Sequence, residues 1–573
     1  MSIHNKEIAD KLNEVAGLLD IKGENPFRIR SYREAAKAIS GMSEDLAARM
    51  SGDGKLEDIP GVGESIAEKI KEMIDSGELK QLKELKREMP ASLLELLKLE
   101  QLGPRRIGML HQKLGIESVD DLKKAIEKGE IENLSGFGKK MSRAIAREVD
   151  DYYENDEPGR YKLDEVEEQA ETIRKYLDKE LDNVIIAGSY RRKKETVGDI
   201  DIVATAGNPG RAMDYFTSFD EASKVLSKGK TRSSLVLRSG IHVDLRIVEK
   251  KSYGAALLYF TGSRAHTIAL RKTGRDKNMK VNEYGIYKGR KVLASETEED
   301  MYRQLGLEYI EPELREDRGE LDASRSNSLP GLVRLEDVKG DLHTHTRATD
   351  GLYSVKEMAE AAGEEGYQYY AVSDHSKRVS MAAGLDEKRL AEQIREIESE
   401  NRKSDKLRIL KSVEVDILED GTLDLPDDIL KKLDLVICAI HYHQKLSRKK
   451  QTKRVLKAME NPYFNILAHP TGRIIGKRRG YDIDMRQVMR EAKNNGCFLE
   501  INAAPDRLDL DDDHIRMAKN MDLKLSVATD AHSTGQLKNM RYGVYQARRG
   551  WLEKDDLINT LSWEELKKIL KRN

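Results

Sequence analysis

Two aspartates that lie two residues apart are the most specific chemical signal in the middle of the chain. Asp199 and Asp201 stand in the alternating run DIDIVAT, which predicts a β-strand. Side chains at positions i and i+2 of a strand project from the same face, so both carboxylates can share metal ions. Asp244, in the alternating run IHVDLRI, is the candidate third carboxylate. Three carboxylates around a pair of divalent ions predict phosphoryl or nucleotidyl transfer.

A glycine and serine turn precedes the aspartate pair. Gly188 and Ser189 are followed by a basic run that contains Arg192. A backbone amide, a hydroxyl and a guanidinium in such a turn can all contact phosphate oxygens. An Asp-x-Asp pair alone is a common accident with a structural explanation, but together with this turn and a separate strand aspartate it indicates a nucleotide site.

Histidines are concentrated in the C-terminal part of the chain, where eight of the twelve lie between His343 and His532. His343 and His345 have strand spacing, and further histidines and carboxylates follow at the ends of successive apolar runs. Imidazole mixed with carboxylate suits Zn²⁺, Mn²⁺ or Fe²⁺ better than Ca²⁺. A lone histidine on an apolar strand is usually a core residue, but nine such groups predict a metal site, with candidate ligands His343, His345, Asp350, His375, Glu414, His441, His469, Asp530 and His532.

Three segments near the N-terminus repeat one pattern, in which an apolar residue and a glycine turn precede an amphipathic helix. They are Ile59 to Ile70, Leu102 to Leu114 and Leu134 to Ile145. Such a turn exposes backbone N–H groups at a helix N-terminus, which can hold a DNA phosphate without reading sequence. One copy is more often a simple helix cap, but three predict a duplex-backbone binder, with candidate contacts at Gly61, Gly63, Gly103, Gly136 and Gly138.

The 573-residue length predicts several domains, and composition limits their function only weakly. The net charge is −2 although 35% of the residues are charged, so a nucleic-acid surface requires local segregation of charge. Two cysteines, Cys438 and Cys497, stand in apolar contexts and are expected to be buried thiols. No long apolar stretch or signal peptide is apparent, which predicts a cytoplasmic protein without membrane contact.

The chain changes its pattern twice. Up to about Asp150 apolar residues recur at helical spacing, which predicts an all-α region. Alternating strands and helices from about 165 to 308 predict an α+β catalytic unit, and the polar segment that follows predicts a linker. From Gly340 onward strands alternate with helices, as in repeated βα units around a parallel barrel.

The first 310 residues resemble the family X DNA polymerases, of which DNA polymerase beta is a member. The resemblance rests on GSYRRKKETVGDIDIV (188–203), YFTGSRAHTIALRK (259–272) and VNEYGIY (281–287). It implies that Tyr259, Phe260 and Gly262 line the sugar pocket of the incoming nucleotide and that Arg271 contacts the template. Ordinary core packing is the alternative for the two aromatic residues. His242 and Thr267 depart from the polymerase beta pattern, which affects the expected rate and fidelity rather than the reaction class.

The first glycine turn also resembles the N-terminal domain of polymerase beta, in which a lysine of the following helix forms a Schiff base with 5′-deoxyribose phosphate. The matching residue is Lys69. A lysine acts in this way only when part of its population is neutral. An exposed helical lysine is the alternative, and the sequence leaves both open.

The histidine-rich run resembles the polymerase and histidinol phosphatase (PHP) domain, a distorted barrel that holds up to three metal ions, and all nine ligand positions are filled. Arg473 and Arg378 are further candidates for binding a substrate phosphate, with surface solvation as the alternative. The full order resembles bacterial and archaeal family X polymerases. It predicts domains at 1–90 (helix-hairpin-helix), 91–155 (fingers-like repeats), 156–312 (palm and nucleotide-binding), 313–338 (linker) and 339–573 (PHP).

The predicted function is gap-filling DNA polymerisation in DNA repair with 3′–5′ exonuclease activity at the PHP site. Abasic-site cleavage and the Lys69 lyase are further candidate activities. The implied cofactors are Mg²⁺ or Mn²⁺ at the polymerase site and Mn²⁺, Zn²⁺ or Fe²⁺ at the PHP site. The implied partners of a monomer are gapped or nicked DNA and dNTPs. Two alternatives stay open: a PHP phosphatase with a non-catalytic, DNA-end-binding polymerase half, and a structural protein that bridges DNA ends.

Overall fold

The computed structural model describes residues 5–40, 46, 50, 55–59, 61–76, 78–99, 101–134, 136–155, 160–403 and 407–570. Pro60 and Ser135, in the first and third glycine-turn segments, lie outside these ranges. The N-terminal unit (residues 5–155) is helical: α1 Asn5–Lys22, α2 Pro26–Ser40, α3 Glu64–Ser76, α4 Lys80–Glu88, α5 Pro104–Leu114, α6 Val119–Glu127 and α7 Lys139–Asn155, with 3₁₀ turns at Leu56–Asp58, Ala91–Lys98 and Ile131–Asn133. One continuous apolar core joins these helices. The expected all-α region is therefore present.

The middle unit (residues 160–332) is built on a five-stranded sheet with the order β2-β4-β7-β6-β5. Its strands are β1 Tyr161–Lys162, β2 Asp182–Ile186, β3 Thr196–Val197, β4 Asp199–Thr205, β5 Ala222–Lys228, β6 Arg232–Leu237 and β7 His242–Ile247. Helices α8 Leu163–Leu177, α9 Gly188–Arg191 and α10 Pro209–Thr217 accompany them. Strands β4 and β7 are parallel neighbours, which sets the residues of the two aspartate motifs side by side.

A smaller antiparallel sheet with its own core completes the middle unit. It comprises α11 Tyr253–Thr261, α12 Arg264–Asp276, β8 Lys280–Asn282, β9 Gly285–Lys288, β10 Lys291–Ala294, α13 Glu298–Gln304 and α14 Glu320–Arg325. Residues 313–338, expected to form a linker, differ from that expectation. They contain α14 and 3₁₀ turns at Pro312–Leu314 and Leu335–Asp337, and Arg315, Glu320 and Leu321 are buried. Buried charged residues of this segment form ion pairs instead of facing solvent.

The C-terminal unit (residues 333–570) alternates strands and helices as expected. The strands are β11 Gly340–Thr344, β12 Tyr369–Val372, β13 Arg408–Lys411, β14 Glu414–Asp416, β15 Ile437–Ala439, β16 Ile466–Leu467, β17 Phe498–Asn502 and β18 Leu525–Ala528. The helices are α15 Val355–Glu364, α16 Glu387–Asn401, α17 Asp427–Leu430, α18 Arg448–Met459, α19 Met485–Asn495, α20 Asp512–Asn520, α21 Met540–Arg549 and α22 Trp563–Ile569.

These strands form two parallel sheets, β11-β12-β13 and β14-β15-β16-β17-β18, rather than one continuous barrel. The sheets meet at both edges through single parallel bridges, Thr344 with Ala531 and His375 with Glu414. The distortion of the expected barrel therefore lies at these two seams. Because the strands are parallel, their carboxyl ends share one rim, where the histidines lie.

The middle and C-terminal units share apolar packing. Leu508 and Tyr542 of the C-terminal unit are buried in the core of the five-stranded sheet. Arg541 and the Tyr542 hydroxyl both contact the carboxylate of Glu167, at 2.7 and 2.5 Å. This contact holds the two units against each other.

Candidate metal centres

The first candidate centre lies on the five-stranded sheet. Asp199 and Asp201 are on β4, and Asp244 is directly opposite Asp201 on the parallel strand β7. The alternation of β4 buries Ile200 and Ile202 in the core and leaves both aspartates on the other face. The three predicted carboxylates therefore share one surface of the sheet.

Mutual repulsion among the three carboxylates is a property expected of a divalent-cation site. Burial, followed by the charges of Asp199 and Asp244, raises the pKa of the Asp201 carboxyl to about 7. Asp244 accepts hydrogen bonds from Ser234 and from Arg232, the latter at 2.8 Å. Among the described residues, the groups of potential ligands whose donor atoms all lie within 4.8 Å of one another do not include these three carboxylates. Divalent ions would offset the repulsion that keeps the carboxylates apart.

The glycine and serine turn lies against the aspartates. Gly188 has φ of 61°, and a Cβ at this position would lie 2.9 Å from a carboxylate oxygen of Asp201, so glycine is required. Ser189 follows it in α9. Arg192 donates to the Thr261 carbonyl at 2.6 Å and pairs with Glu316 at 3.0 Å. These contacts fix the guanidinium between Thr261 and Glu316.

The residues expected to line a sugar pocket also converge here. Tyr259 and Phe260 contact each other edge to face, with ring centroids 5.1 Å apart. The guanidinium of Arg271 lies 5.2 Å from the Tyr259 ring. A Cβ at Gly262 would lie 3.3 Å from the Arg192 guanidinium, so the YFTGS segment packs against Arg192.

The second candidate centre brings the nine predicted ligands of the C-terminal unit together. Three groups of residues each have donor atoms that lie within 4.8 Å of one another. The groups are His345, Asp350, His375 and His532; His343, His345 and Asp530; and His375, Glu414 and His441. The ninth residue, His469, contacts the Glu414 carboxylate at 2.9 Å. The shared members make one continuous cluster, which has the donors for up to three ions.

The donor atoms of this cluster fit bound metal. Buried atoms without a hydrogen-bond partner include Nδ1 of His345, Oδ1 of Asp350, Nδ1 of His375, Oε2 of Glu414 and Nδ1 of His469. Unsatisfied buried polar atoms are costly unless something else coordinates them. His375 Nδ1 and Glu414 Oε2 lie 2.7 Å apart, and neither atom has a hydrogen-bond partner, so both are available to a bound ion.

Burial and neighbouring charges favour the ligating forms of His345 and Glu414. Burial, reinforced by His532 and His375, lowers the pKa of His345 to about 4, so its imidazole is neutral and able to ligate. Burial would also lower the pKa of His375 and His441, but the Glu414 carboxylate raises it to about 10 and about 9. Burial alone would raise the pKa of the Glu414 carboxyl, but His441, His375 and His343 hold it well below its usual range. Glu414 is therefore an ionised ligand at the centre of the cluster.

Two carboxylates behind the ligands were not identified from the sequence. Glu500 on β17 contacts Nδ1 of His343 at 2.7 Å and accepts a hydrogen bond from the His469 amide at 2.7 Å. Asp416 on β14 contacts Nδ1 of His441 at 3.2 Å. Such partners orient a ligating imidazole. The sequence signal that could have identified both carboxylates is an acidic residue within a strand whose side chains are buried.

Arg473 and Arg378 do not present free guanidinium groups to the cluster. Arg473 pairs with Glu195 of the middle unit at 2.6 Å. Arg378 pairs with Asp416 at 2.9 Å and with Glu419 at 2.5 Å. These ion pairs place Arg473 in the unit interface and Arg378 beside Asp416, and binding of a substrate phosphate by either residue stays a prediction.

The glycine turns of the N-terminal unit lie at helix starts. Gly61, with φ of 78°, packs so closely on α2 that a Cβ would lie 2.7 Å from Glu34. Gly63 precedes α3, Gly103 caps α5, and Gly136, with φ of 90°, and Gly138 precede α7. Lys69 on α3 is half-buried, and its Nζ donates to the backbone carbonyl and hydroxyl of Ser65, each at 2.9 Å.

A sheet bearing three carboxylates, joined to a parallel βα unit with a histidine cluster, defines a class of metal-dependent proteins that act on phosphate esters. Family models agree in order along the chain: helix-hairpin-helix domain at 3–79, SAM-like helix-hairpin-helix tandem at 93–151, DNA polymerase beta palm at 160–253, DNA polymerase beta thumb at 256–316 and PHP domain at 341–504. Each half thus matches a known metal-dependent fold.

Full-length similarity identifies the family. The chain is 36% identical to the DNA polymerase/3′-5′ exonuclease PolX of Bacillus subtilis (strain 168), over 100% of both chains. It is 33% identical to a probable phosphatase of Thermoanaerobacter sp. (strain X514), over 38% of this chain and 89% of that protein. It is 24% identical to DNA polymerase lambda of Rattus norvegicus, over 55% and 56%. The chain belongs to the family X DNA polymerases that carry a C-terminal PHP domain.

Proposed function

We propose that this protein fills short gaps in DNA by template-directed addition of dNMP and resects 3′ ends with its PHP domain. The observation that carries the proposal is the presence of two complete donor sets on one chain. One set contains three carboxylates beside the glycine and serine turn, and the other contains eight histidines and carboxylates together with His469, which contacts Glu414. A binding protein gains nothing from carboxylates that repel phosphate.

In the polymerase half, Asp199, Asp201 and Asp244 would hold Mg²⁺ or Mn²⁺, which would activate the primer 3′-hydroxyl and neutralise triphosphate charge. The Arg192 guanidinium, which is held by Thr261 and Glu316, would stabilise the negative charge on the triphosphate. The Tyr259 and Phe260 edge gives a rigid apolar wall against which a deoxyribose can pack. These residues bind and orient; geometry supplies most of the catalysis in phosphoryl transfer.

In the PHP half, the cluster would hold Mn²⁺, Zn²⁺ or Fe²⁺, which would activate water for attack on a phosphodiester. The ligands differ in exposure, from 0% for His345 and 1% for Glu414 to 23% for His532 and 30% for Asp350. Substrate therefore reaches the cluster from the side of His532 and Asp350. Glu500 and Asp416 hold the imidazoles of His343 and His441 in the ligating orientation.

The proposal includes gapped or nicked DNA and dNTPs as substrates, bound by a monomer. The glycine turns at Gly61, Gly103 and Gly136 are offered as contacts to the duplex backbone. Among the described residues no helix is long and apolar enough to cross a membrane. A cytoplasmic location is part of the proposal, supported by the two buried thiols, Cys438 and Cys497.

Two candidate activities are kept as predictions. Lys69 is only half-buried, and a 5′-deoxyribose phosphate lyase would need its amine free from the contacts with Ser65. Borohydride trapping on a gapped strand with a 5′-deoxyribose phosphate tests the lyase, and absence of an adduct rejects it. Abasic-site cleavage at the PHP cluster is tested on a duplex with one abasic site.

The proposed function is tested on a 5′-labelled primer in a one-nucleotide gap with Mn²⁺, with and without dNTPs. We expect extension by one nucleotide when dNTPs are present and shortening when they are absent. The rival, a small-molecule phosphatase with a non-catalytic polymerase half, predicts neither product but rapid release of phosphate from p-nitrophenyl phosphate. A structural end-bridging protein predicts no turnover in either assay.

A further inference from the structure

The N-terminal unit covers part of the entrance to the PHP cluster. A cavity of about 200 Å³ lies between them, lined by Asn13, Arg33 and Lys37 on one side and by His532, Ser533 and Gln536 on the other. Lys37 donates to the backbone carbonyl of Asp350 at 2.8 Å, across 313 residues of sequence. Two cations of α2 therefore stand at the edge of a site that belongs to another domain.

The cavity adjoins the open end of the ligand cluster. Asp350 and His532, whose side chains lie 3.3 Å apart, belong to one group of potential metal ligands. They are the two most exposed of the nine ligands, so a strand that reaches the cluster passes beside Lys37 and Arg33. A phosphate in this cavity would be within the range at which these cations act.

The charges of the two cations remain available to a ligand. Lys37 makes its described contact with a carbonyl, so its positive charge is not neutralised by a carboxylate there. Arg33 pairs with Asp20 at 2.6 Å but is 52% exposed, and a guanidinium has five N–H donors. Both can turn a donor toward an anion without breaking the fold.

We propose that Arg33 and Lys37 form a phosphate-binding subsite of the PHP centre, supplied by the N-terminal domain. Its ligand is a backbone phosphodiester of the DNA strand being resected, upstream of the bond that is cleaved. This inference rests on the proposed exonuclease function. It makes the N-terminal domain part of the nuclease site as well as of the polymerase substrate platform.

The test compares wild type with Arg33→Ala, Lys37→Ala, the double variant and Lys37→Arg. The readout is shortening of a 5′-labelled single-stranded oligonucleotide in Mn²⁺ over a range of salt. We expect KM to rise about five- to tenfold for each cation removed, and the dependence of log(1/KM) on log salt to fall by about 0.7 for each phosphate contact removed. Lys37→Arg should retain most of the affinity.

Two controls separate this subsite from other effects. Lys83→Ala removes an exposed cation of the same domain that does not line the cavity, and it should leave KM within twofold of wild type. Hydrolysis of bis(p-nitrophenyl) phosphate, which is too short to span from the cluster to the cations, reports on the metal centre alone. It should be the same in all variants.

The outcomes are distinct. A KM that does not change in the double variant overturns the subsite while leaving the exonuclease proposal intact. A KM that falls also overturns it, because Lys37 would then be closing the site against DNA. Wild type that hydrolyses the small diester but shortens no oligonucleotide overturns the exonuclease proposal, and the subsite with it.

Discussion

Arg549 joins the PHP domain to Arg192, the proposed triphosphate-binding residue, and its removal should weaken dNTP binding. Its guanidinium is 3% exposed and donates to the Arg192 carbonyl at 2.9 Å and to Glu316 at 3.1 Å. Glu316 in turn holds the Arg192 side chain at 3.0 Å. Arg549→Ala therefore loosens Arg192 from both its backbone and its side chain.

The size of the effect depends on which hydrogen bonds the substitution removes and which ones remain. A hydrogen bond to a charged group contributes about 1.5–3 kcal/mol. Arg549 also bonds Asp512, but Arg318 still pairs with that carboxylate at 3.1 Å, and Arg192 still pairs with Glu316. We therefore expect the domain interface to be destabilised by about 3 kcal/mol. We expect roughly half of this free-energy loss to act on the position of Arg192, which corresponds to about a tenfold rise in KM for dNTP.

The assay is single-nucleotide gap filling over a dNTP titration, with kcat and KM separated. Arg548→Ala is the matched control, since Arg548 is the preceding residue of α21 and pairs with Glu313 and the Val333 carbonyl instead. It should leave KM for dNTP near the wild-type value. Equal effects of the two substitutions, or a change in kcat alone, would refute the idea that Arg549 acts through Arg192.

Three further predictions concern the metal centres and the thumb. Glu500→Gln should weaken Mn²⁺ binding at the PHP cluster by about 10- to 100-fold, because a neutral amide offers one acceptor oxygen in place of the two that contact His343 and the His469 amide. The substitution should shift the metal titration of exonuclease activity but not that of extension. Removal of divalent ions with a chelator should abolish both activities, and Mn²⁺ should restore both; activity that survives chelation contradicts the metal assignments. Burial would raise the pKa of Glu298, but Arg315 and Arg191 lower it to about 2. The ionised carboxylate therefore stabilises the folded state by about 3 kcal/mol. This contribution is present above pH 4.5 and is lost as the pH falls toward 2. Thermal unfolding should show Glu298→Gln well below wild type at neutral pH and closer to it near pH 3, whereas a constant difference would exclude this ion pair as the cause.

Local patterns in the sequence were enough to predict much of the fold and to select the candidate ligands. The alternation of DIDIVAT predicted β4 and the shared face of Asp199 and Asp201 because strand side chains have a period of two. The histidines could be grouped because carboxyl ends of parallel strands share one rim. In both cases the position of a residue within its own strand was sufficient.

The contacts that could not be predicted join residues distant in sequence. Arg473 binds Glu195 across 278 residues, and no local pattern distinguishes that pair from a solvated arginine. Residues 313–338 differ from the expected linker for a related reason. Arg315 is fully buried and pairs with Glu298 at 2.6 Å. Charged residues that pair inside a protein look the same in sequence as those that face water.

The central claim is that one chain carries two independent active sites. It is tested most directly by comparing wild type, Asp199→Ala/Asp201→Ala and His343→Ala/His345→Ala on the same gapped, 5′-labelled primer with Mn²⁺. We predict that the first variant loses extension and keeps shortening, while the second keeps extension and loses shortening. Loss of both activities in either variant, or of neither, would contradict the claim.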